Sequence, residues 1–161
     1  MNESSTYDPR DSRIPVSDMQ ALSSGTAPAR TEGESTRDQR TTKGYKELRV
    51  WQVPIELVVV VYHLTATFPT TERFGLSSQM QRAAVSIPSN VAEGYGKSTT
   101  GEFRQFLGHA RGSLCELETQ IHIARRLKFG SPEALERAET LAGDVRRLLH
   151  AYMRSLKGGS L

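Results

Sequence analysis

Between positions 45 and 157, apolar residues recur at threes and fours in four successive runs, the spacing that lines one face of an α-helix. Leu48, Trp51, Ile55, Val58, Val59 and Tyr62 form the first stripe, on a helix expected from about Lys46 to Ala66. Leu76, Met80, Ala84, Ile87, Val91 and Tyr95 form the second. Phe103, Leu107, Ala110, Leu114, Leu117 and Ile121 form the third, on a helix running to about Lys128. Leu135, Ala138, Leu141, Val145, Leu148, Tyr152 and Leu156 form the fourth. Two features complicate the first run. Pro54 removes an amide donor and predicts a kink or a late start, and the β-branched stretch Val58 to Val61 would by itself suit a buried strand.

Local stop and start signals divide the runs. Phe68 and Pro69 close the first helix, and Thr70 or Thr71 can cap the next segment, with Glu72 well placed in its first turn. Gly75 then separates a short opening turn from the main second helix. Pro88 lies inside that helix and predicts a bend. Thr99 and Glu102 have capping-box spacing. Gly130 is the expected left-handed stop of the third helix, and Ser131 with Pro132 opens the fourth. Four amphipathic helices with short connections predict an all-α fold, an antiparallel up-down four-helix bundle over residues 45–157. Residues 1–44 show no helical period and few apolar side chains, so a disordered N-terminal tail is expected. Gly158 and Gly159 end the last helix and leave 158–161 as a flexible C-terminus.

Beside two of the apolar stripes runs a row of polar residues. Gln79, Arg82, Ser86, Asn90 and Glu93 share one face of the second helix, and Glu102, His109, Ser113, Glu116 and Gln120 share one face of the third. A turn near Lys97 and Ser98 would bring Ser86 towards His109 and Ala110, and Arg82 within one turn of Glu116. A buried or interfacial Arg82–Glu116 ion pair is therefore expected, within a network that includes Gln79, Ser86 and Gln120. The alternative is that both rows are solvated faces.

Charge changes this picture modestly. The whole chain carries a formal charge of +3. Residues 1–44 contribute minus one, which leaves plus four on the remainder. Arg104, Arg111, Arg125 and Lys128 lie along one flank of the third helix, and Arg146, Arg147, Arg154 and Lys157 along the fourth. Such residues can neutralise phosphates without reading bases, so RNA or DNA is a candidate partner. An ordinary solvated face accounts for them equally well. The single cysteine, Cys115, excludes an intramolecular disulfide and a cysteine zinc site, and a reducing cytoplasm is expected. No membrane-spanning length of apolar residues occurs.

Catalytic chemistry finds little footing. A di-metal bundle site wants Glu-x-x-His on two helices, whereas Glu118 and His122 are four apart, and His63, His109 and His150 are scattered. Neither metal nor cofactor is expected. Arg104 and His109 match the Arg-x4-6-His spacing of HEPN ribonucleases, a pattern that arises readily by chance in an arginine-rich chain.

The run GLSSQMQRAAVSIPSNVAEG, followed by EFRQFL and GSLCELETQI, closely resembles the four-helix-bundle proteins known as 23S rRNA intervening-sequence proteins. These are related to the accessory variability determinant of diversity-generating retroelements. YKELRVWQ and FPTTERFGL extend the resemblance over roughly residues 45–156, and Pro54 departs from the alanine more usual there. The resemblance implies a protomer that assembles into a homopentameric barrel. For the retroelement branch it also implies binding to nucleic acid and to a reverse transcriptase. The expected function is a non-enzymatic homo-oligomeric scaffold or nucleic-acid-binding accessory protein. The alternative is a HEPN-like ribonuclease using Arg104 and His109.

Overall fold

A computed structural model describes residues 44–156. The expected disordered tail, Gly44 excepted, the flexible C-terminus and Lys157 fall outside the described residues. A 3-10 turn at Tyr45–Glu47 leads into α1 (Arg49–Thr65), a second 3-10 turn spans Thr70–Phe74, and α2 (Leu76–Tyr95), α3 (Thr100–Leu127) and α4 (Pro132–Ser155) come after it. Each helix packs on its two neighbours in a square, α1 on α2 and α4, α3 on α2 and α4. Neighbours run antiparallel: Ser86 meets Ser113 while Gly94 meets Phe103 and Phe106, and Glu118 meets Arg146 while Arg125 meets Glu139. This is the four-helix bundle expected from the periodicity.

Several local signals act as the sequence implies. Thr99 and Glu102 form the capping box, with Thr99 Oγ1 accepting from the Glu102 amide at 3.1 Å and Glu102 Oε2 accepting from the Thr99 amide at 3.1 Å. Ser131 Oγ accepts from the Ala134 amide at 3.2 Å, and Pro132 occupies the first turn of α4. Gly75 does separate the short turn from α2, but neither Thr70 nor Thr71 caps it. The Leu76 amide instead donates to Glu72 Oε2 at 3.0 Å, because the intervening 3-10 turn places that carboxylate, rather than a threonine hydroxyl, at the open helix end.

The stop of α3 differs from expectation. Lys128, not Gly130, takes the left-handed C-cap at φ 58° and ψ 36°. Gly130 also has positive φ, 75°, and it is confined sterically: a Cβ there would lie 2.5 Å from Leu64 Cδ1. The glycine thus lets the α3–α4 connection rest on Leu64 near the end of α1 and on Phe68 just beyond it.

The larger correction concerns α1. Its buried residues are Val50, Val53, Pro54, Leu57, Val61, Leu64 and Thr65. Of the stripe expected to face the core, Leu48, Trp51 and Val58 are half-buried, and Ile55, Val59 and Tyr62 are 37%, 43% and 46% exposed. α1 carries two apolar stripes of the same period, so periodicity cannot say which one turns inward. The inward stripe meets Met80, Ala84, Ile87 and Val91 of α2 and Leu135, Ala138, Val145 and Leu149 of α4 in one core. A smaller rotation occurs in α4, where Ala142 and Leu149 are buried and Leu141 and Leu148 half-buried. Pro54 is buried and α1 begins three residues later than expected, at Arg49.

Candidate interaction surface

The α2–α3 seam holds the part of the polar rows that comes together. Close approach is possible because Gly94 faces the seam; a Cβ there would sit 2.6 Å from Phe106 Cβ and 2.8 Å from Phe103 Cδ2. Ser86 Oγ and Ser113 Oγ are 2.9 Å apart, and Asn90 Nδ2 donates to the Ser86 carbonyl at 2.8 Å and to Ser86 Oγ at 3.0 Å. Ser113 Oγ donates to the His109 carbonyl at 3.2 Å, which leaves Ser86 to supply the hydrogen between the two hydroxyls. Further along, Gln120 Nε2 donates to Glu116 Oε1 at 3.0 Å, while Gln120 Oε1 is buried without a partner among the described residues.

The expected Arg82–Glu116 pair does not form within the chain. Both residues are exposed, and Arg82 makes no hydrogen bond or ion pair among the described residues. The register is not the reason: Ser86 meets Ser113, not His109 and Ala110, and this leaves Arg82 about level with Leu117, one residue from Glu116. Direction is the reason, because Arg82 turns to the α1 side of α2, where it lines a hollow with Tyr62, Ser78, Gln81, Val85 and Ser86. Of the remaining row residues, Gln79 is exposed, Glu93 pairs with Lys97 at 3.3 Å, and the exposed His109 ring rests edge-on against Phe106 with centroids 5.5 Å apart.

The expected cationic flank is a mixed-sign seam between α3 and α4. Arg125 makes a two-pronged contact with Glu139, Nε–Oε1 3.0 Å and Nη2–Oε2 2.8 Å, and Arg146 Nη2 lies 2.5 Å from Glu118 Oε1. Arg147 pairs with Asp144 one turn earlier. The Glu139 hydrogen bond raises the Arg125 pKa, with burial opposing it. Arg104 is half-buried with its Nε unpartnered, whereas Arg111, Lys128 and Arg154 are exposed and make no ion pair among the described residues. Arg104 and His109 are five residues apart on one helix and so point about 140° apart. α3 therefore turns the residues of the ribonuclease reading to different sides.

What sequence reasoning missed is the outer groove between α1 and α2. Trp51, Ile55 and Val58 face Val85, Pro88 and Ala92 across a hollow closed at one end by Tyr45. Val85 also lines the second hollow, which ends at Tyr62 and Arg82. The result is one strip, apolar for most of its length and cationic at one end. A signal for it existed: a helix that is apolar nearly all round needs cover on more than one side. Among the described residues, no group of three or more His, Cys, Asp or Glu could hold a metal ion, and no helix is long and apolar enough to cross a membrane.

Comparison with known proteins places these observations. Residues 46–151 match the model of a family described as 23S rRNA-intervening sequence protein. A crystal structure from Bacteroides thetaiotaomicron, of a protein with unknown function from the S23 ribosomal protein family, superposes with a TM-score of 0.61 at 21% identity. That similarity covers 65% of this chain and 95% of the other. No curated protein matches the chain.

Proposed function

This chain belongs to the 23S rRNA-intervening sequence protein family, and on that footing we propose that it is a non-enzymatic scaffold that works as a homo-oligomer joined through the outer face of α1 and α2. The observation that carries the reading is the exposed strip itself. Ile55, Val59 and Tyr62 stand 37%, 43% and 46% exposed on one side of α1, next to half-buried Trp51 and Val58 and to exposed Val85 on α2. From Trp51 to Tyr62 the strip runs for roughly 16 Å along the helix. A contiguous apolar surface of this kind marks an association site.

The number of copies in this reading, five, comes from the family resemblance. The accessory role, binding RNA or DNA and serving a reverse transcriptase, has the same source. It draws physical support from the excess of basic residues repeated in every copy, and from Arg111, Lys128 and Arg154, which keep their charge free of intrachain partners among the described residues. Binding of this type is electrostatic and indifferent to sequence.

Sedimentation or multi-angle light scattering of the parent and of Val59→Glu tests the scaffold. A partly exposed valine can become glutamate at little cost to the protomer, whereas a carboxylate without a partner is strongly unfavourable in an apolar interface. The parent is expected to be oligomeric and Val59→Glu a folded monomer. A monomeric parent, or an unchanged assembly in Val59→Glu, would overturn the reading.

A further inference from the structure

The strip on α1 needs a counterpart, and the outward face of α3 has the complementary shape. Gly108 and Gly112 lie inside that long helix, and a Cβ on either would meet nothing within 4 Å among the described residues. None of those residues requires glycine there, although glycine is, after proline, the least favourable residue for a helix interior. Cys115 continues the same side of the helix and is exposed. The outward face of α3 therefore carries a shallow track of small residues, Gly108, Gly112 and Cys115, where α1 bears a ridge.

Ridge and track also match in height. Gln81 Nε2 donates to Thr65 Oγ1 at 2.8 Å, which sets α1 against α2, and the Ser86–Ser113 contact sets α2 against α3. All helices rise by about 1.5 Å per residue. Stepping along the antiparallel pairs from these two contacts brings Ile55 about level with Gly108, Val59 with Gly112 and Tyr62 with Cys115. The same steps bring Arg82 about level with Leu117, one residue from Glu116. Arg82 has no intrachain partner among the described residues, and Glu116 is exposed beside the track.

We infer that the α1 ridge of one copy seats on the α3 track of the next, with Ile55, Val59 and Tyr62 over Gly108, Gly112 and Cys115 and with Arg82 facing the neighbour's Glu116. The inference rests on the oligomeric reading above and specifies its contact. Because ridge and track lie on different helices, the contact is head-to-tail, and each copy uses both faces. α1 and α3 run parallel in an up-down bundle, so a rotation about an axis along the bundle brings one onto the other. Equal heights mean that this rotation carries no step along the axis. A head-to-tail contact generates a ring if the rotation between copies closes and an open filament if it does not.

Cys115 supplies half of a direct test. Tyr62→Cys, under mild oxidation, is expected to form disulfides between copies with native Cys115, giving a ladder of linked species on a non-reducing gel. Adding Cys115→Ser should abolish the ladder. Dimers that persist in the double variant would show α1 meeting α1 and would overturn the inference, as would an oligomer that forms no cross-link. Gly112→Leu provides a second readout: helical circular dichroism retained, assembly lost by light scattering. An assembly unchanged in Gly112→Leu overturns the ridge-and-track contact while leaving the oligomeric reading intact. A monomeric parent defeats the oligomeric reading itself.

Discussion

Replacing Gly94 by alanine adds one methyl group where α2 packs tightly on α3. The new Cβ would lie 2.6 Å from Phe106 Cβ and 2.8 Å from Phe103 Cδ2. The first of these atoms is bonded directly to backbone, and the second belongs to a fully buried ring, so neither can swing aside cheaply. Overpacking of this kind costs about 1–3 kcal/mol. Alanine in place of a helical glycine returns about 1 kcal/mol, which leaves Gly94→Ala between neutral and about 2 kcal/mol destabilised. Gly112→Ala makes the same chemical change where the added Cβ has nothing within 4 Å among the described residues, so only the gain of about 1 kcal/mol remains. The two variants should therefore differ by about 1–3 kcal/mol, with Gly94→Ala the weaker. Urea unfolding in the Val59→Glu background keeps association out of the comparison, and the midpoints should separate at unchanged m. Stabilities within about 0.5 kcal/mol of each other would refute the close α2–α3 approach and the claim that Gly112 faces outward.

Thr99→Ala removes the hydroxyl that accepts from the Glu102 amide and should cost about 1 kcal/mol, seen as a melting point lower by about 4–8 °C; an unchanged melt would mean that the capping box contributes nothing. If nucleic acid binds through the unpaired cations, replacing Arg111, Lys128 and Arg154 together by alanine should weaken binding and flatten its dependence on salt. Replacing the ion-paired Arg125, Arg146 and Arg147 should do less, and fluorescence anisotropy across a salt series distinguishes the two sets. Equal losses in both would show that the intrachain pairs leave those arginines available.

Four helices, their connections and most of their ends were legible in the sequence, because period and capping are local. Thr99 with Glu102, and Ser131 with Pro132, act within one turn and need no partner from elsewhere in the chain. Only the tertiary structure decided which stripe of α1 faces the core. Val50, Leu57, Val61 and Leu64 have the same spacing as Trp51, Ile55 and Tyr62, and the choice rests on what α2 and α4 present to them. The α2–α3 register was decided in the same way. The small residues at the seam let Ser86 reach Ser113, shifted from the alignment that a turn centred on Lys97 and Ser98 implies. The turn of Arg82 to the α1 side of α2, and not that register, separates the expected ion pair. The left-handed position at Lys128 results from docking as well, since Gly130 is held against Leu64 and the reversal has to begin earlier. Periodicity shows that a helix has an apolar face. Which of two such faces stays outside, available to another copy, depends on contacts distant in sequence.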